Sequence, residues 1–234
     1  MIDNKIIIFS LIFAFAVQSV ATAGTKDIYK FKWMDKDASV YVLQNKVFEK
    51  DGSSYINFNY GSNDLSAFQE SSAMNLQIGF FFSEDWGLEL FFSSYSNFDN
   101  DAYQAISKTT DFVPFVRKLD NAYGAYLLYS PFYGKINTFN QIFYLDWTFG
   151  VGGASLNLQD NRDSFLDLAK SDKFVAESGG GIAFKTAWRV YLSRHWHVLA
   201  DYSRIYFSAL RPIEKKETKL YYSADMVFGL GYNF

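Results

Sequence analysis

The stretch that decides the fold is "MVFGLGYNF", residues 226–234. Taken two by two, Met226, Phe228, Leu230, Tyr232 and Phe234 fall on one face, and Asp225, Val227, Gly229, Gly231 and Asn233 on the other. Side chains alternate across a β-strand, so this is a strand with one large apolar face and one small or polar face. A soluble sandwich also alternates, and the choice between the two rests on the rest of the chain.

Composition favours lipid on the apolar side. The 234 residues include 25 Phe, 17 Tyr and 5 Trp but only 3 Pro, and no apolar run is long enough for a membrane helix. Aromatic abundance without a helical span fits a barrel whose outer wall meets lipid and whose rims carry aromatic girdles. The one strongly apolar run, "IIIFSLIFAFAV" (6–17), follows Lys5 and precedes Ala21-Thr22-Ala23. That order reads as a signal peptide over 1–23, cleaved before Gly24, with an uncleaved anchor as the alternative. A net charge of −3 argues against a nucleic-acid partner. With no cysteine there is neither a disulfide framework nor a thiol for a lipid anchor.

Eight segments have the length and alternation of a tilted membrane-crossing strand: 54–61, 73–82, 86–97, 121–130, 142–154, 180–192, 196–207 and 221–234. Short connections ("SED", "SRH", and the mid-length "PFYGKINTFNQ") alternate with long polar ones, as on the two rims of an outer-membrane barrel. This places both termini in the periplasm and all three prolines in connections. The turns Phe82-Ser83-Glu84-Asp85-Trp86 and Leu192-Ser193-Arg194-His195-Trp196 match, setting Phe82 opposite Trp86 and Leu192 opposite Trp196. Trp86 and Trp196 are then interface aromatics.

The fold expected is all-β: a transmembrane antiparallel up-and-down barrel of eight strands over 54–234. Residues 24–53 form an N-terminal periplasmic segment, which could instead be a plug or supply a further strand pair, giving ten. The inward faces carry Glu89, Asp146, Lys185, Arg189, Asp201 and Asp225 among asparagines and glycines. An eight-stranded interior is only wide enough for side chains to fill. The expectation is a network in which the four carboxylates surround Lys185 and Arg189 and close the lumen, since unpaired buried charge is costly. The competing reading is a small cation-preferring pore lined by the same carboxylates.

No catalytic, cofactor or metal residues are assigned, and the chain is not read as an enzyme. His195 and His197 form H-x-H without a third ligand of obvious spacing, and read as a solvated rim pair. An outer-membrane lipid hydrolase would need a serine beside one of them, and Ser193 reads as a turn former. "GVGG" (150–153) and "SGGGIAF" (178–184) open no helix and so cradle no phosphate. "DNRDSFLD" (160–167) lacks the central glycine of a calcium loop. "RPIEKKETK" (211–219) reads as a solvated loop of mixed charge, with lipopolysaccharide contact as the alternative.

The eight-segment pattern and the terminal Tyr232-Asn233-Phe234 resemble small Gram-negative outer-membrane barrels of the OmpA and OmpX type. "VYVLQNKVF" (40–48), "SEDWG" (83–87) and "YSPFYGK" (129–135) are similar, more specifically, to the outer membrane β-barrel domain family. That resemblance implies a structural or surface-interaction barrel without assigned chemistry, acting through long extracellular loops on an outside partner. It also implies contact with outer-membrane lipid and lipopolysaccharide, periplasmic chaperones and the barrel assembly machinery. Phe228, Leu230, Tyr232 and Phe234 would be the assembly signal, an apolar edge strand able to pair with another sheet edge before closure.

Overall fold

The structure is a computed structural model that describes residues 46–109, 113–138, 141–166, 174–211 and 217–234. The signal-peptide reading, residues 24–45 and Pro212 lie outside these. Eight antiparallel strands run in chain order: β1 Ser54–Asp64, β2 Gln69–Phe81, β3 Trp86–Asp99, β4 Arg117–Thr138, β5 Gln141–Asp160, β6 Val175–Tyr191, β7 Trp196–Leu210 and β8 Thr218–Asn233. Each pairs with its neighbours, and β8 returns to β1 with Phe58 opposite Leu230, closing the barrel without a free edge. Closure at eight overturns the ten-strand alternative, because both long sides of β1 are already occupied by β2 and β8.

The two tight turns lie on one rim, as the sequence pattern requires. Phe82 and Ser83 both donate their backbone N–H to the Trp86 carbonyl, and Leu192 and Ser193 do the same to Trp196. In each turn the serine hydroxyl accepts the tryptophan N–H at 3.1 Å, so the same serine chemistry closes both hairpins. Arg189 lies opposite Leu199, one step from Asp201 on the same face.

Several strands run longer than expected. The connection between β1 and β2 shrinks to residues 65–68. "PFYGKINTFNQ" is not a connection: β4 continues to Thr138 and β5 starts at Gln141, forming a ribbon beyond the tight-turn rim. Pro131 therefore sits within β4. It is tolerated because the ladder skips from Tyr129 to Phe132 at a bulge, where no N–H is needed. Two short helices occupy the long-connection rim: α1 Asp101–Thr109 and α2 Arg162–Leu166. Asn100 caps α1, its Oδ1 accepting the Tyr103 N–H at 3.0 Å.

The wall separates two environments. Ile78, Leu90, Phe92, Ile182, Phe228 and many like them are exposed on the outside, whereas the inward partners on the same strands are buried. Trp86 and Trp196 stand outward beside the tight turns, Trp86 at 4.7 Å from Tyr129 and Trp196 at 5.1 Å from Tyr232. A barrel this apolar outside and this polar inside is inverted relative to a water-soluble protein.

Candidate functional site: the braced lumen and its two mouths

Inward positions of β1, β2, β3, β6 and β7 converge at mid-lumen. The alternation that turns the aromatic rows outward sends Glu89, Lys185 and Asp201 inward, and all three are buried. Lys185 Nζ lies 2.6 Å from Glu89 Oε1 and 2.7 Å from Asp201 Oδ2. Tyr55 donates its hydroxyl to the other Glu89 oxygen at 2.6 Å, and Gln77 Nε2 donates to Asp201 at 2.7 Å. These bonds join β3 to β6 and β2 to β7, strands that are three apart around the ring, so they cross the lumen. Short charge-assisted bonds in a low-dielectric interior are strong, and a bar made of them holds opposite walls together.

Neutral layers flank the bar. Asn57 donates to Gln77 at 3.0 Å, and its Oδ1 pairs with His197 Nε2 at 2.8 Å. His197 is thus a fully buried lumen residue, not half of a solvated rim pair. His195 lies in the turn, exposed and stacked on Tyr232 with ring centroids 5.4 Å apart. The pair parts because the strand period begins only at Trp196, so His195 and His197 do not share a face. Ser193 accepts the backbone N–H groups of His195 at 3.4 Å and Trp196 at 3.1 Å, the part of a turn former. Gly231 is required where it is: a Cβ there would come within 2.1 Å of the His197 ring and 2.2 Å of Asn57 Oδ1.

The six inward charges are not gathered in one cluster. Asp225 is served by neutral donors, Asn63 Nδ2 at 2.5 Å and the Tyr95 hydroxyl at 2.7 Å. Asp146 takes the Tyr191 hydroxyl at 2.6 Å and Lys50 Nζ at 3.3 Å. Arg189 places its guanidinium 4.3 Å over the Tyr55 ring and 5.7 Å from Phe81. The expected setting is met for Lys185, which takes Glu89 and Asp201, whereas Asp225 has neutral donors and Arg189 reaches its carboxylates through Tyr55 and Tyr191, whose hydroxyls bond Glu89 and Asp146. An inward face carries charges at different heights, and long side chains such as Arg189 and Tyr55 link one height to the next.

Both mouths are occupied. At the tight-turn end, Gly52 adopts φ +71°, a left-handed turn that an L side chain resists. This turn sends Lys50 inward to Asp146 and, at 2.8 Å, to Ser130. Glu84 of the β2–β3 turn accepts the backbone N–H of Lys50 at 3.0 Å, and Phe48 stacks on Tyr191 at 4.6 Å. At the other end Arg117 Nη2 lies 3.3 Å from Asp160 and 3.6 Å from Glu177, which also engage Arg162 at 2.7 and 3.1 Å. Arg117 also bonds the Leu210 carbonyl at 2.7 Å and lies 4.5 Å over the Tyr221 ring. Beneath this cap Leu119, Leu156, Leu158 and Phe207 form an apolar layer. Sequence reasoning missed Arg117, Asp160, Arg162 and Glu177 because it assigned them to connections, and Lys50 because it assigned it to the N-terminal segment; Asp160 and Arg162 of "DNRDSFLD" belong to a rim cap.

No family model and no curated protein matches the sequence. Solved structures do. Neisserial surface protein A is 15% identical, with 79% of this chain and 100% of that one covered, at a TM-score of 0.51. The N-terminal β-barrel domain of Pseudomonas aeruginosa OprF is 14% identical over 79% of this chain and 98% of that one, at 0.48. Ail, the attachment invasion locus protein of Yersinia pestis, is 13% identical over 79% and 99%, at 0.42. The first of these, with the closed ring of eight antiparallel strands, shows the fold: a small eight-stranded outer-membrane β-barrel.

Proposed function

We propose that this barrel resides in the outer membrane of a Gram-negative cell, with a closed lumen and both ends of the chain in the periplasm. Its role is structural or surface-interacting, exercised through the long connections, and it performs no catalysis. The observation that carries this reading is the Glu89–Lys185–Asp201 bar across the lumen, in which three inward charges serve one another. An outer wall of exposed apolar and aromatic residues, bounded by Trp86 and Trp196, supports the membrane location. Outer-membrane barrels turn tightly in the periplasm and present longer loops outside, which orients the two rims.

The absence of cysteine makes orientation directly testable. Ser107→Cys on α1 should react with a membrane-impermeant thiol reagent on intact cells. Ser193→Cys in the tight turn should react only after the outer membrane is permeabilised, and the opposite pattern would overturn the reading. The outward row Phe228, Leu230 and Tyr232 of β8, continued by Phe234 just past its end, suits recognition by periplasmic chaperones and the assembly machinery. Phe234→Ser should lower the folded amount in the outer membrane, and unchanged amounts would remove that role.

A further inference from the structure

One cation on the outer wall has no carboxylate partner among the described residues, whereas Lys50, Arg117, Arg162 and Lys185 of the lumen each have one. Arg204 alternates outward on β7, opposite Phe184 of β6 and Ala224 of β8. It is half-buried among aromatic side chains. Its Nε donates to the Tyr202 hydroxyl at 2.6 Å, and its guanidinium lies 5.0 Å from the Tyr222 ring centroid. Tyr206 stands beside Tyr222 at 6.2 Å and Phe184 at 6.1 Å. Among the described residues no carboxylate comes within ion-pair distance of Arg204; Asp64, two strands along the same row, is not paired with it.

Height along the wall gives the cage its meaning. Arg204 stands eight residues along β7 from Trp196, and at ~3.3 Å per residue and ~40° of tilt this lifts it about 20 Å above that girdle. The apolar band of such barrels is about 25 Å tall. Arg204 therefore reaches the opposite interface, at the headgroup level, where tyrosine hydroxyls are favoured and phosphates are present. A guanidinium presents five N–H donors in a fork that matches a phosphate, and bonds to the Tyr202 and Tyr206 hydroxyls leave part of that fork for a further acceptor.

We propose that Arg204, with Tyr202, Tyr206 and Tyr222, forms a binding site on the outer wall for the phosphate of an anionic membrane lipid. The tyrosines hold the guanidinium by its ring faces and hydroxyls, fixing the fork toward the headgroup layer instead of leaving it to sample solvent. This inference rests on the membrane-embedded reading above.

The test uses the refolded full chain, its Arg204→Gln variant and Lys219→Gln as a rim-charge control. Insertion is checked first, by protease protection in zwitterionic phosphatidylcholine vesicles; a wild type that does not insert overturns the membrane reading itself. Inserted proteins are then titrated with diphosphorylated lipid A, and bound lipid is counted by native mass spectrometry. Wild type and Lys219→Gln should hold lipid A roughly tenfold more tightly than Arg204→Gln, the scale of a hydrogen bond to a charged group. Millimolar inorganic phosphate should not compete, since the site needs the lipid's anchorage. Equal retention by Arg204→Gln, equal loss in Lys219→Gln, or displacement by inorganic phosphate would each overturn the proposal.

Discussion

Lys185 and Arg117 are both buried cations held between two carboxylates, but their surroundings differ. Lys185 sits at mid-lumen, and with Glu89 and Asp201 it forms a set of three charges sealed on every side by strands. Arg117 sits under the long-connection rim, where Arg162 shares both of its carboxylates and Glu177 is 15% exposed. One cation is irreplaceable at its level, while the other has a second cation and nearby water. Burial and redundancy, not the number of ion pairs, set how much each is worth.

That contrast orders the expected losses. Lys185→Ala leaves two buried carboxylates facing each other and should lower unfolding free energy in vesicles by about 3–5 kcal/mol. The isosteric set Lys185→Met, Glu89→Gln and Asp201→Asn should restore most of it, because replacing a whole buried charged group is often neutral. Denaturant titration followed by tryptophan fluorescence measures both, and a loss in Lys185→Ala no larger than in Arg117→Ala would break the comparison. Arg117→Ala should cost about 2 kcal/mol, with Arg162 retaining Asp160 and Glu177. Adding Arg162→Ala should then cost more than its single loss by about 1 kcal/mol, measured as a double-mutant cycle. Lys50→Met should cost least, about 1 kcal/mol, since Asp146 keeps the Tyr191 hydroxyl at 2.6 Å. A Lys50 loss matching that of Lys185 would show that the tight-turn mouth, not mid-lumen, bears the barrel's charge balance.

The same two regions differ in how far the sequence reveals them. Glu89, Lys185 and Asp201 lie within uninterrupted period-two runs, so parity alone turns them inward, and the two serine-closed turns fix the register beside them. Arg117 lies beyond the register shift between Leu119 and Asn121, where parity counted from the strand centre fails. Asp160 and Glu177 sit at strand ends within a stretch so polar that it reads as a loop. Polar composition marks solvent only when nothing inside needs a partner, and here Arg117 and Arg162 do. Lys50 was hidden differently, since no periodicity announces a side chain delivered by a turn at Gly52. The meeting of Lys185 with Glu89 and Asp201 was legible, but that of Asp225 with Asn63 and Tyr95 was not, because parity gives the face but not the height around a tilted barrel.

The most direct test of the closed lumen is single-channel conductance of the refolded protein in a planar bilayer, beside a Glu89→Ala/Lys185→Ala/Asp201→Ala variant. The account predicts a silent wild type and discrete conducting steps once the bar is removed. Steady cation-selective current from the wild type would make the inward carboxylates a pore lining, and equal traces from the two proteins would deny the bar its role as the seal.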